Sequence, residues 1–238
     1  MIKKHDPYAA LRFREFNIFL LIRFLLVLGW SMQFIIIEWE VYNITKNPLA
    51  LGLIGLVEIV PAISMALFAG HIVDQKEKKK LFVLAIFAFL LVSVGFFVVT
   101  SSYTYSNYSS TKILYAIYFL VFIGGFVRAF FGPIIFSLVA LIVPKKTYPN
   151  AASWSSSTWQ LSAVIGPALA GFSIAYYGVN TSMLYVLVAV FLSFLLTYFL
   201  KRKPILNPKI GEPIFKSLKE GLSFVFKTKA IFVSIGLD

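Results

Sequence analysis

The sequence predicts an all-α integral membrane protein built as a bundle of six membrane-spanning helices. Hydrophobic residues make up 59% of the chain and charged residues 13%, whereas a soluble domain is typically about 45–50% apolar and about 25% charged. An apolar run of about 18 residues is long enough to cross a bilayer as a helix. Six such runs occur, at 16–42, 49–73, 81–100, 113–143, 151–176 and 183–200.

The basic residues are concentrated on one predicted side of the membrane. They lie in the N-terminal segment, in the second and fourth connections and after the sixth run. Cytoplasmic loops carry an excess of Lys and Arg, so both termini are predicted to be cytoplasmic. The abundance of Lys, Ile and Phe is typical of AT-rich bacterial genomes and predicts a multi-pass protein of the bacterial inner (plasma) membrane. All but four of the 22 basic residues follow this pattern, the exceptions being Arg23, Lys46, Lys112 and Arg128.

Composition also argues against several function classes. The net charge of +12 follows the loops, so the sequence does not predict a nucleic-acid partner. The chain has no cysteine and two histidines, so neither a disulfide nor a metal or other cofactor is expected. No enzyme activity is expected either, because the sequence contains neither H-E-x-x-H nor G-x-S-x-G.

The connection after the second run carries a glycine and an aspartate at a defined spacing, followed by lysines. It resembles the loop between spans two and three of the major facilitator superfamily, G-x-x-x-D-(R/K)-x-G-(R/K)-(R/K). Gln75 replaces the first basic residue and Glu77 the second glycine. An ordinary positive-inside turn would explain the lysines but not the Gly–Asp spacing. The matching residues are Gly70, Asp74, Lys78 and Lys79.

The fourth run contains an arginine followed by a glycine four residues later. Arg128 and Gly132 resemble the superfamily's fourth-span motif R-x-x-Q-G, although Phe131 stands where glutamine is usual. An arginine inside a span costs at least about 2.5 kcal/mol on insertion scales and therefore needs a partner or water. The resemblance implies a role in proton coupling, and a structural ion pair is the alternative.

The fifth run contains a Gly-Pro pair among small residues. It resembles the superfamily's antiporter motif, g-x(8)-G-x(3)-G-P-x(2)-G-G, through Gly166, Pro167 and Gly171. In the family this motif accompanies export rather than uptake. Ordinary close packing of small residues between membrane helices would also explain the glycines.

Further matches resemble one branch, the enterobactin-exporter-like and macrolide-efflux-like carriers, also called transmembrane secretion effectors. They include Trp39, Gly52, Pro61 and the stretch 216–226. The resemblance implies the N-terminal half of a twelve-span carrier, a six-helix bundle of two inverted three-helix repeats at 1–200. A cytoplasmic linker with an amphipathic helix would follow at 201–229, and the truncated start of a seventh span at 230–238. The missing C-terminal six-span half would be its partner.

Glu58 lies about 15 Å into the second run, near the bilayer centre. An intramembrane carboxylate is by default a functional hypothesis. Glu58 and Arg128 are therefore the proton-coupling candidates, and a purely structural hydrogen bond from Glu58 to a neighbouring helix is the alternative. Trp159 and Gln160 are the candidate contacts to an amphipathic substrate.

Three further charged residues lie in the first run. Arg23 is expected to extend its side chain to the inner interface. Glu38 and Glu40 lie near the outer end and are expected to reach lipid headgroups or water, with a place in the lining of the outer mouth as the alternative.

Together these observations predict a secondary active transporter that exports a small amphipathic molecule in exchange for protons by alternating access. Its partners would be the lipid bilayer, the transported molecule, protons and a second six-span half. The alternative is a truncated, non-transporting membrane protein or relic that acts only as a helical interaction partner. The apolar run that closes the sequence favours this alternative.

Overall fold

A computed structural model describes residues 6–205, except for the side chain of Leu67. Within this range the regular structure is entirely helical. Short 3₁₀ helices occur at Ala10–Arg12, Lys145–Thr147 and Thr197–Phe199. The α-helices are α1 (Arg14–Thr45), α2 (Pro48–Gln75), α3 (Lys78–Val99), α4 (Ser102–Asn107), α5 (Ser110–Ile142) and α6 (Tyr148–Leu196).

Five helices of the described region are long and apolar enough to cross a membrane: α1, α2, α3, α5 and the segment containing α6. The 49 residues of α6 would span roughly 74 Å at 1.5 Å per residue, more than twice a hydrocarbon core of about 30 Å. Its helical geometry is interrupted at Gly178, where φ is 78° and ψ is 173°. We call the parts on either side α6a (148–177) and α6b (179–196).

Contacts with α1 show that α6a and α6b run in opposite directions. Along α6a, Asn150 accepts a hydrogen bond from the Ala10 amide, and Ser162 lies against Ser31 further along α1. Along α6b the order is inverted, because the earlier residues Val186 and Val190 lie against Gly29, whereas the later residue Ser193 donates to the Ile22 carbonyl nearer the start of α1. The chain therefore reverses at Gly178, and the predicted all-α bundle of six spans is confirmed.

Gly178 makes this reversal possible because its backbone conformation is essentially restricted to glycine. Gly178→Ala is expected to lower the free energy of unfolding by about 1–3 kcal/mol. The measurement is thermal unfolding of the purified protein in detergent. Gly171→Ala is the matched control, since an added methyl there meets no atom of the described residues within 4 Å. Equal melting temperatures for the two variants would contradict the role given to Gly178.

Several polar contacts hold the ends of the described chain together at one end of the bundle. Glu15, at the start of α1, pairs with the Lys203 ammonium at 2.8 Å and accepts a hydrogen bond from the Lys201 amide. Glu77 caps the first turn of α3 and also accepts from the Lys203 amide. Both described ends therefore lie on the same side, as an even number of spans requires.

At the opposite end, the connection between α3 and α5 folds back over α1. Tyr105, in the short helix α4, donates a hydrogen bond to Glu40, which is only 7% exposed. Burial, followed by this hydrogen bond and the negative charge of Glu40, raises the pKa of Tyr105. The expectation that Glu40 reaches headgroups or water is therefore wrong, because a loop residue covers it.

Candidate functional site

A cavity of about 780 Å³ lies inside the bundle, between α1, α2, α3, α5 and α6a. Its wall is mostly apolar, with contributions from Val27, Phe34 and Ile135 among others. Few polar side chains reach it, and they are therefore the candidates for chemistry and recognition: Arg23, Gln33, Glu58, Arg128, Ser155 and Ser156.

An ion pair joins α2 to α5 at this cavity. The Arg128 Nη1 atom lies 3.0 Å from Glu58 Oε1. The Glu58 side chain is 11% exposed, whereas the Arg128 side chain is 47% exposed and faces the open cavity. The two proton-coupling candidates are therefore brought together, and the buried carboxylate is compensated by a charge that remains partly accessible.

Trp30 of α1 contacts the arginine of this ion pair. The guanidinium carbon of Arg128 lies 4.6 Å from the centre of the Trp30 ring. A cation over an aromatic face is attracted by the ring quadrupole, by about 0.5–2 kcal/mol depending on solvation. Trp30 therefore helps to hold Arg128 beside Glu58, a role that the sequence did not reveal.

The close approach of α2 and α5 depends on Gly125, one turn before Arg128. A Cβ atom placed on Gly125 would lie 2.6 Å from Pro61 Cγ and would overlap the Glu58 carbonyl oxygen. Glycine lets these backbones touch, and this contact brings Arg128 within reach of Glu58. A glycine pair in an apolar helix is the sequence signal that could have indicated this position.

A second carboxylate, that of Glu38 on α1, lies near the ion pair. Glu38 is half-buried and interacts electrostatically with Glu58. A half-buried side chain keeps part of its surface accessible, so the predicted position of Glu38 among headgroups or in water stays a prediction. Glu58 therefore has a basic partner on α5, Arg128, and an acidic neighbour on α1, Glu38.

Two further polar contacts line the cavity. Gln33 accepts a hydrogen bond of 2.6 Å from Ser93 and is 6% exposed, which fixes α1 against α3. Arg23 donates a hydrogen bond to Ser155 of α6a and lines the cavity. The Arg23 side chain therefore crosses to a neighbouring helix and does not follow the predicted path to the membrane interface.

Comparison with known proteins identifies the family. The family model described as Major Facilitator Superfamily matches residues 19–237. The chain belongs to the major facilitator superfamily. It is also 29% identical, over 173 residues, to the Staphyloferrin A transporter of Staphylococcus aureus (strain NCTC 8325 / PS 47). That match covers 73% of this chain, and the chain spans about 42% of the length of the curated relative.

The superfamily resemblance predicted from the motifs is thus confirmed, and the two findings point to a transporter rather than an enzyme. The enterobactin-exporter-like and macrolide-efflux-like branch stays a prediction. So does the subdivision at 1–200, 201–229 and 230–238, since residues 206–238, including the predicted amphipathic helix and seventh span, lie outside the described residues.

The superfamily loop motif lies at the end of the bundle that carries Glu15 and Lys203, away from the ion pair. Lys78 is buried, and its ammonium donates to the carbonyls of Val73, Asp74 and Lys76, which caps the end of α2. Lys79 donates to the Leu200 carbonyl. The Asp74 side chain is exposed. At Gly70 an added Cβ meets no described atom within 4 Å.

The remaining motif residues divide between packing and the cavity. Gly166 allows α6a to approach α1, because a Cβ there would overlap Ser31. Pro167 follows inside the helix, and Gly171 faces open space. Gly132 and Trp159 line the cavity. Gln160 is exposed and does not contribute to that lining, so of the two predicted substrate contacts the cavity includes only Trp159.

Proposed function

We propose that this chain is the N-terminal half of a proton-coupled exporter that moves a small amphipathic molecule by alternating access. The observation that carries the proposal is the Glu58–Arg128 pair at the wall of a large apolar cavity. The carboxylate is nearly buried and its partner faces the cavity, so a change in the charge of Glu58 alters what the cavity presents to a ligand.

In the proposed cycle, deprotonated Glu58 holds Arg128 through the 3.0 Å ion pair. A proton that enters down its gradient binds the Glu58 carboxylate and removes its negative charge. Arg128 then loses its partner and is free to move within the cavity beside Trp30. Loss of the proton on the other side restores the pair.

The cavity supports a small, largely apolar substrate. Its volume of about 780 Å³ lies within the range of roughly 300–1,000 Å³ usual for small-molecule sites. Trp159 supplies an aromatic face beside serine hydroxyls. The relative whose name describes it as a Staphyloferrin A transporter supports movement of a small molecule, and we extend that role to this chain.

Alternating access requires a second bundle against which this one rocks. We propose a C-terminal six-span half as that partner, with both termini of this chain in the cytoplasm of a bacterial plasma membrane. The loop carrying Asp74 would contact the second half in one state of the cycle, since its carboxylate is exposed. Export is favoured by the match of Gly166, Pro167 and Gly171 to the antiporter motif.

Efflux in cells that lack their own exporters tests this proposal. The chain is expressed alone and joined to a matching six-span half, and cells are loaded with an anionic, a neutral or a cationic amphipathic dye. We expect efflux of one dye from the joined form only, abolished by a protonophore. A well-expressed joined form that exports none of the three dyes would contradict the proposal and favour the non-transporting alternative.

A further inference from the structure

Arg23 is a charged cavity residue whose hydrogen-bonding capacity is largely unused. A guanidinium group has five N–H donors, yet within the described residues Arg23 makes one side-chain hydrogen bond, to Ser155. Its Nε atom is buried and has no hydrogen-bond partner. A buried donor that has left water without a replacement partner is unfavourable, so this position lacks an acceptor.

No carboxylate of the described cavity wall compensates Arg23. Glu58 is the acidic residue among the lining side chains, and it is engaged by Arg128. The wall therefore carries two guanidinium groups and one carboxylate, an excess of one positive charge. A charge that is partly surrounded by a low-dielectric apolar wall attracts an anion more strongly than the same charge would at the protein surface.

The position of Arg23 also defines the shape of the ligand. Arg23 precedes Trp30 by seven residues on α1, which places the two on the same helical face about 10 Å apart. Leu26 and Val27 lie between them on the cavity wall. A molecule that bonds to Arg23 at one end therefore lies along an apolar surface that leads to Trp30 and the ion pair.

We propose that Arg23 and Ser155 form a carboxylate-binding subsite and that the molecules taken up by the cavity are amphipathic carboxylates. This inference rests on the proposed function, because it names the substrate class of the same cavity. Guanidinium binds carboxylate through two parallel N–H···O bonds, so an occupant would use the donors that are left unused. The apolar part of the molecule would extend towards Trp30, and proton-dependent release of Arg128 would act on its far end.

Matched probes separate charge recognition from apolar binding. Dansylglycine carries a carboxylate, dansylglycinamide is its neutral counterpart, and both accept excitation energy from tryptophan, two of which line the cavity at Trp30 and Trp159. Binding is measured with the full chain in lipid nanodiscs. We expect the wild-type protein to bind the carboxylate at least roughly tenfold more tightly than the amide, as is typical for a hydrogen-bonded charge.

Three arginine variants test the assignment. Arg23→Gln is expected to weaken carboxylate binding until the two affinities lie within about twofold of each other. Arg23→Lys should keep part of the preference, since it keeps the charge. Arg14→Gln removes the same charge from an exposed position at the start of α1, and this variant should keep the full preference for the carboxylate. A melting temperature near the wild-type value shows that each variant is folded.

Three results would overturn the subsite: no saturable binding of dansylglycine, no preference in the wild-type protein, or a preference that survives Arg23→Gln and disappears in Arg128→Gln. The measurement needs neither a pH gradient nor a second six-span half. A carboxylate preference without proton-driven efflux would therefore count against the proposed function alone, and efflux without the preference would count against the subsite alone.

Discussion

Glu58→Gln is expected to reduce proton-driven efflux to the background of cells without the protein. Glutamine has nearly the same shape and can still accept a hydrogen bond from Arg128, but it cannot bind or release a proton at physiological pH. The fold should survive, since glutamine keeps the shape and a hydrogen-bond acceptor, and the Arg128 side chain is 47% exposed and keeps its contact with Trp30. The measurement is the initial rate of dye efflux by the joined form, normalised to the amount of protein in the membrane.

Two variants control this result. Glu58→Asp keeps an ionisable group that is one methylene shorter, so we expect slower but proton-dependent efflux. Glu38→Gln removes a half-buried carboxylate of α1 that is not the proposed proton carrier, so proton-driven efflux should persist. Efflux at the wild-type rate in the Glu58→Gln protein would remove Glu58 from the coupling mechanism.

Gly125→Ala is expected to destabilise the bundle by about 1–3 kcal/mol, as overpacking of a tight interface usually does. The added methyl would overlap the Glu58 carbonyl oxygen and lie 2.6 Å from Pro61 Cγ. Neither atom belongs to a flexible side-chain end, so α5 must move away from α2. This movement would also separate Arg128 from Glu58, and we expect lower efflux together with a lower melting temperature.

Gly132→Ala provides the matched control on the same helix, one turn beyond Arg128. Within residues 6–205, an added methyl at Gly132 meets no atom closer than 4 Å, so the melting temperature of this variant should remain near the wild-type value. Thermal unfolding of both variants in the same detergent makes the comparison. If Gly125→Ala has the same melting temperature as Gly132→Ala and the wild type, the close contact that we assign to α2 and α5 at Gly125 does not exist.

The six spans could be predicted because the bilayer itself imposes their length and composition. The predicted run at 49–73 agrees with α2, Pro48–Gln75, and the break between the fifth and sixth runs falls at Gly178. The inward faces of the helices could not be predicted in the same way. Membrane helices are apolar on all sides, so no amphipathic pattern marks the side that packs on protein.

The candidate site illustrates that difference. Glu58 and Arg128 could be named individually, because a charge within a span is expensive and therefore conspicuous. That they form a pair depends on the contact at Gly125, and the contribution of Trp30 depends on how α1 packs beside them. Trp159 and Gln160 are adjacent in the sequence, yet the 100° turn between neighbouring helical residues places only Trp159 on the cavity wall.

Infrared difference spectra of the purified protein between neutral and acidic pH test most directly whether Glu58 is the proton-binding group. Protonation converts a carboxylate into a carboxylic acid, which exchanges the carboxylate bands for a carbonyl band. We expect a carbonyl band that is present in the wild type and in Glu38→Gln and absent in Glu58→Gln. Identical spectra for the wild type and Glu58→Gln would contradict proton binding at Glu58 and, with it, the coupling mechanism proposed for this carrier.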